Sequence, residues 1–145
     1  LLGLDRRKMS KSYQNVIELS EAPEQVRKKV NSMITDVERP RREDPGHPEN
    51  CNLFTWHPLF SSPDHVAIVD KTCRNASLSC GDDKKDMADR IIAWQAPIRE
   101  KRAQLEKDPG YLDTLVRKGN EKARRIAAKT VSEVREVVGL WPKRI

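Results

Sequence analysis

Two lysines and two serines lie within five consecutive residues near the start of the sequence, Lys8-Met9-Ser10-Lys11-Ser12. Paired ammonium groups suit the binding of the phosphates of ATP, because the departure of pyrophosphate develops negative charge that fixed positive charge stabilises. This segment, called the lysine–serine loop below, predicts an ATP-binding site. Lys8 and Lys11 are its candidate catalytic residues, Ser10 and Ser12 can donate hydrogen bonds, and the backbone near Met9 can lie against adenine.

The whole sequence has the composition of a small helical protein with a basic surface. Of its 145 residues, 34% are charged and only 5% are aromatic, which does not favour a β-sandwich. The net charge of +6 favours a polyanionic partner such as nucleic acid. We expect no membrane span and no signal peptide, and three cysteines without the spacing of a disulfide framework fit a cytoplasmic location.

Helical periodicity runs through the sequence from Ser20 onward, and no segment alternates convincingly with period two. We expect a first helix from about Ser20 to Asp36. A short second helix over residues 50–60 should be disturbed by Pro58 in its last turn. A third helix should begin with Ser62 as N-cap and end near Asn75.

Two longer helices are expected in the last part of the chain, so the predicted fold class is all-α. One should bend at Pro97, and the other should start after Asp108 and end at Gly139. The first has apolar residues at helical spacing, and its Trp94 is expected in the core. Trp56, in the second predicted helix, is also expected there. The second has an apolar stripe formed by Leu112, Leu115, Val116, Gly119, Ala123, Ile126, Ala127, Val131, Val134 and Val138.

The same last helix has a row of basic residues at spacings of four, three and four, which places them on one face: Lys118, Lys122, Arg125 and Lys129. Such a row is either a solvated surface or a set of contacts with nucleic-acid phosphates. A smaller basic loop contains Arg39, Arg41 and Arg42.

The segment Gly3–Asn15 resembles the signature loop of class I aminoacyl-tRNA synthetases. Further blocks are similar to the tryptophanyl-tRNA synthetases of bacterial type, namely Thr35-Asp36, residues 44–52, residues 97–102 and residues 119–127. Two positions depart from the pattern, since Arg6 and Gln14 stand where members of the family often have glycine.

This resemblance implies three parts of the chain. Residues 1–19 would be the end of a Rossmann catalytic domain, with the ATP-binding loop and a connector. Residues 20–139 would be a helical domain that binds the tRNA anticodon, and residues 140–145 a tail. The position of the lysine–serine loop suggests a chain cut at the edge of an active site.

The resemblance also implies an activity. The full enzyme would join tryptophan to AMP, using ATP with Mg²⁺, and transfer it to tRNA(Trp), and it would form a homodimer. Lys118, Lys122, Arg125 and Lys129 would contact the tRNA. The tryptophan pocket would lie in an amino-terminal portion, so this chain alone should be inactive. The alternatives are a free-standing helical RNA-binding module and a synthetase paralogue with an auxiliary function.

Some bacterial members of the family hold an iron–sulfur cluster with four cysteines, and the present sequence offers Cys51, Cys73 and Cys80 followed by Asp83. A carboxylate is a poor substitute for a thiolate in such a cluster. A cluster, a zinc ion bound with a histidine and free thiols are the alternatives, and we expect free thiols and no metal. The three histidines show no spacing typical of a catalytic triad.

Overall fold

The computed structural model describes residues 1–140. Its α-helices are α1 (Pro23–Asn31), α2 (His57–Phe60), α3 (Pro63–Arg74), α4 (Cys80–Glu106) and α5 (Pro109–Val137), and short 3-10 helices span Lys11–Tyr13, Pro48–Asn50 and Phe54–Trp56. Within residues 1–140 there is no strand, only a single bridge between Leu2 and Lys8. The all-α prediction is confirmed.

None of these helices combines the length and apolar content that crossing a bilayer requires. The predicted tail, apart from Leu140, lies outside the described residues.

The starts of α3 and α5 that the capping residues predicted are confirmed. The Ser62 hydroxyl accepts a hydrogen bond from the backbone N–H of His65, and the Asp108 carboxylate accepts one from the N–H of Tyr111. A proline occupies the first turn of each helix, where its missing N–H costs no hydrogen bond. Beyond α5, Gly139 has a φ of 67°, as expected for a glycine that ends a helix.

The predicted bounds of the first two helices are wrong. α1 starts after Ala22 and ends at Asn31, and the Ile34 N–H then donates to the Leu4 carbonyl instead of continuing the helix. The chain turns again at Asp36, whose carboxylate accepts backbone N–H groups of Glu38 and His47. The second helix is only α2, and Pro58 lies in its first turn. Proline initiates this helix because its fixed φ suits a first turn better than a last one.

The chain divides into two compact units, Leu1–Glu100 and Lys101–Ile145. The first unit contains the hydrophobic core, to which the helices contribute side chains that include Val26, Val30, Trp56, Met87 and Ile91. Trp56 is buried as predicted. Trp94 is half exposed and meets Phe60 edge-on, so its prediction as a core residue is wrong. Periodicity placed Trp94 on the correct helix but could not say where the core ends along it.

The second unit contains α5, none of whose side chains is buried. Its apolar stripe forms one face but remains in contact with solvent, with Leu115 55% and Ile126 58% exposed. Within residues 101–140 this stripe therefore builds no core. The helix is regular over its 29 residues, and its polar side chains are equally accessible.

Candidate functional site

The lysine–serine loop has a defined fold and presents both lysines to solvent. Ser10 caps the 3-10 helix Lys11–Tyr13, and its hydroxyl oxygen accepts a hydrogen bond from the N–H of Ser12 at 3.3 Å. Lys8 and Lys11 are exposed, and neither makes an ion pair within residues 1–140. Met9 is half buried and packs against the hydrophobic core. The loop is thus held by Met9, while its charged ends remain available to an anion.

Asn15 lies beneath the loop with only 3% of its surface exposed. Its Nδ2 donates hydrogen bonds to Asp5 Oδ1 at 2.7 Å and to the carbonyl of Lys8 at 3.1 Å, while its Oδ1 accepts one from the N–H of Ser10 at 2.8 Å. The hydrogen bond from Asn15, helped by Arg7, lowers the pKa of Asp5 to about 2. Sequence reasoning assigned no role to Asn15, although it ends the segment that carries the family resemblance.

The two positions that depart from glycine have a left-handed backbone. The φ angles are 67° at Arg6 and 52° at Gln14, a region that glycine adopts readily and other residues rarely do. The Gln14 N–H donates to the Lys11 carbonyl at 3.0 Å and so closes the 3-10 helix. Both positions therefore adopt the left-handed backbone typical of glycine, although each of the two residues has a side chain.

The basic row lies along the middle of α5, and all four of its side chains are exposed: Lys118, Lys122, Arg125 and Lys129. Among residues 1–140, a weak contact is found for one of them, since Lys129 Nζ is 3.9 Å from Glu133 Oε1. This surface can meet an extended anion.

Arg39, by contrast, is buried. Its guanidinium donates to the carbonyl oxygens of Leu78 and Arg42, so Arg39 joins two loops and is not a surface contact for nucleic acid.

The three thiols belong to one neighbourhood, but the fourth position does not fit an iron–sulfur cluster. Burial raises the pKa of Cys51 and raises that of Cys73 to about 11, so both groups are protonated thiols near neutral pH. Arg39 lies against Cys80, with its guanidinium 3.9 Å from the sulfur. The carboxylate of Asp83 is engaged by His57 Nε2 at 3.0 Å. We therefore assign no cluster to these residues.

Three histidine–carboxylate pairs were not predicted, and one of them joins His47 Nδ1 to Asp36 Oδ2 at 3.0 Å. His57 is fully buried between Asp83 and Ser61. His65 Nε2 lies 3.0 Å from Asp86 Oδ2. His57, His65 and Asp86 lie close enough together to share a metal ion.

Arg90 contacts two of these three residues. Its guanidinium is 2.7 Å from the same Asp86 oxygen and 3.1 Å from His65 Nδ1. Each ligand atom thus has a partner within the protein, and we interpret the cluster as structural.

Comparisons with known proteins agree with the motif. A family model described as "tRNA synthetases class I (W and Y)" matches residues 1–94. The tryptophan–tRNA ligase of Aquifex aeolicus is 40% identical over 95% of this chain, and that of Thermotoga maritima is 40% identical over 97%. The chain covers 35% and 43% of those two proteins, so it spans well under half of their length.

The fold is also found in a solved relative. The crystal structure of tryptophanyl-tRNA synthetase from Campylobacter jejuni, complexed with ADP and tryptophan, has a TM-score of 0.85 with this chain at 30% identity. The match covers 95% of this chain and 43% of that one. On the family model, the relatives and this fold, the chain belongs to the class I tRNA synthetase family of tryptophan and tyrosine enzymes, and its curated relatives are tryptophan–tRNA ligases.

Proposed function

We propose that this chain is the carboxyl-terminal part of a tryptophan–tRNA ligase. In that enzyme the lysine–serine loop holds the phosphates of ATP, bound with Mg²⁺, while pyrophosphate leaves and tryptophan is joined to AMP. The helices that follow bind tRNA(Trp), which accepts the tryptophanyl group. Residues 1–19 then complete a catalytic domain and residues 20–139 form the tRNA-binding domain.

The observation that carries this proposal is the folded loop with two exposed lysines that have no acidic partner within residues 1–140. In a loop that binds an anion, the ammonium groups need to be left without carboxylates as partners. Here Asp5, the nearest acidic residue in the sequence, is engaged by Arg7 and Asn15 instead. The ammonium groups of Lys8 and Lys11 are free to neutralise charge that develops on a departing pyrophosphate, where they contribute to the transition state.

The proposed tRNA contact rests on α5. Four exposed basic side chains at helical spacing match the repeated charge of a nucleic-acid backbone, and contacts of this kind position a nucleic acid without reading its sequence. This surface is also what a free-standing RNA-binding module would need. The two functions differ in whether the lysine–serine loop is required for catalysis.

The experiment uses a full-length polypeptide that joins the amino-terminal part of the Aquifex aeolicus relative to this chain. We expect it to catalyse tryptophan-dependent exchange between ATP and pyrophosphate. Lys11→Ala should lower the rate about 100-fold with little change in tryptophan affinity, because one charge that acts on the transition state is lost. An exchange rate equal to that of the parent would remove the loop from the mechanism, and an inactive parent polypeptide would favour the RNA-binding module.

A further inference from the structure

We propose that Asn15 is the positioning residue of the lysine–serine loop, and that its amide group sets the backbone conformation from which Lys8 and Lys11 reach the phosphates of ATP. This inference rests on the proposed function, since it assigns Asn15 a role relative to the nucleotide. Asn15 itself is buried under the loop, so its effect passes through the residues that it holds.

The hydrogen bonds of the Asn15 amide fall on both sides of Met9. Nδ2 holds the carbonyl of Lys8 at 3.1 Å, and Oδ1 holds the N–H of Ser10 at 2.8 Å. Ser10 in turn caps the 3-10 helix that begins with Lys11. One side chain therefore fixes the backbone at Lys8 and at the residue before Lys11, which sets the two backbone positions from which the lysine side chains extend.

The space beneath the loop is shaped for asparagine. A Cβ atom placed on Gly3 would lie 2.3 Å from Asn15 Nδ2, so the amide packs directly on the glycine backbone. Glutamine would need room for another methylene in this contact. Aspartate would lose both donated hydrogen bonds and would place a second carboxylate beside Asp5, 2.7 Å from the present Nδ2. No other common side chain offers the same donors and acceptor in this volume.

The amide is itself fixed relative to the helical core. The backbone carbonyl of Asn15 accepts a hydrogen bond from the N–H of Leu4 at 3.0 Å. The neighbouring Gly3 carbonyl accepts one from Nδ2 of Asn52, a residue with only 1% exposure, at 2.8 Å. Asn15 thus transmits the position of the core to the loop, which is what a preorganised phosphate site requires.

The first test measures the loop in this chain without a nucleotide. Hydrogen exchange of the Ser10 amide, followed by NMR, should become at least about 10-fold faster in Asn15→Ala, because the acceptor of that N–H is lost. Asn120→Ala, an exposed asparagine of α5, is the control and should leave Ser10 exchange unchanged. Equal Ser10 exchange in wild type and Asn15→Ala would overturn the positioning role.

The second test measures catalysis in the full-length polypeptide described above. Asn15→Ala should lower kcat for ATP–pyrophosphate exchange about 10-fold to 100-fold, the usual effect of small displacements of reacting groups, while the KM for tryptophan changes less than about 2-fold. Asn15→Asp should lose activity similarly. Combining Asn15→Asp with Asp5→Asn exchanges donor and acceptor across their contact and should restore part of the rate.

The outcomes separate this inference from the proposed function. If the unsubstituted polypeptide exchanges no pyrophosphate, the proposed function fails, and the role of Asn15 toward ATP fails with it. If it is active and Asn15→Ala is equally active, only the inference fails. A fall in kcat accompanied by an equal loss of tryptophan affinity and of thermal stability would indicate a merely structural residue and would also overturn the inference.

Discussion

The Nε2 atom of His57 lies 3.0 Å from Oδ1 of Asp83, and the imidazole has no exposed surface. Ser61 Oγ lies 3.1 Å from the other ring nitrogen, so both nitrogens have a partner. The pair joins α2 to α4 across 26 residues of sequence, at a position where a buried histidine without an acceptor would be costly. Through this contact His57 also engages Asp83, the carboxylate at the position where a fourth cluster ligand would be needed.

Removal of this carboxylate should therefore destabilise the chain. Asp83→Ala leaves the buried His57 without its acceptor, and we expect it to lower the free energy of unfolding by about 1–3 kcal/mol, measured by urea denaturation. The control is Asp89→Ala on the same helix, where the carboxylate is 60% exposed and pairs with Arg27. That variant should cost less than about 1 kcal/mol. Equal costs for the two variants would mean that the buried pair contributes no more than a surface pair.

The same position decides whether the thiols can hold an iron–sulfur cluster. We expect the wild-type chain, incubated anaerobically with ferrous iron and sulfide, to acquire neither bound iron nor the visible absorbance of a cluster, because only three thiols are present. Asp83→Cys adds the missing thiol and should gain both signals, and Asp83→Ser is the matched control without a thiol. Stoichiometric iron in the wild type would overturn our assignment of these cysteines as free thiols.

The basic row of α5 should contribute to tRNA affinity through charge at a particular face. Lys118→Glu with Lys122→Glu should weaken tRNA binding and reduce the slope of log affinity against log salt by about one for each lost phosphate contact. Arg117→Glu with Arg124→Glu makes the same change in net charge on another side of the helix and should reduce the slope less. Equal slopes for the two double variants would indicate that net charge, and not this face, attracts the tRNA.

The Asp5 carboxyl should titrate unusually low. Its pKa is lowered from 3.8 to about 2 by the hydrogen bond from Asn15 and by Arg7. Because the pKa is lower in the folded state, Asp5 stabilises the loop above about pH 4, and this contribution is lost as the pH falls towards 2. Carbon NMR of the carboxyl group should report this pKa, and Asn15→Ala should raise it towards 3.8. An unchanged titration in Asn15→Ala would contradict the stated cause.

The left-handed backbone at Gln14 should make glycine acceptable there. Gln14→Gly relieves strain of about 1 kcal/mol, which offsets the loss of chain entropy that glycine normally causes. We expect the variant to unfold at the same urea concentration as the wild type or slightly higher. Glu43→Gly, in an exposed turn whose φ is not positive, is the control and should cost about 0.5–1 kcal/mol. The idea is wrong if both glycine variants lose equal stability.

The features that sequence reasoning found are those that short segments encode. The caps at Ser62 and Asp108 and the left-handed turn at Gly139 depend on neighbouring residues, so their patterns were sufficient. The lysine–serine loop was recognisable for the same reason. The basic row on α5 follows from helical spacing alone.

The features that it missed depend on residues distant in the sequence. Asn52 meets the Gly3 carbonyl across 49 positions, and His57 meets Asp83 across 26, and neither spacing has a period that a sequence displays. Arg39 looked like a surface contact because its neighbours are basic, but its carbonyl partners come from two separate loops. Composition and periodicity describe the face of an element, whereas burial depends on what that face meets.

The absence of buried side chains along α5 has a consequence for how the chain responds to heat. Most helices of this length are stabilised by packing, and one that relies on its own backbone hydrogen bonds frays gradually from its ends as temperature rises. The core of residues 1–100 should instead melt cooperatively. Far-ultraviolet dichroism would then report a sloping helical signal superimposed on a sharper step, and a single melting temperature would average two different events.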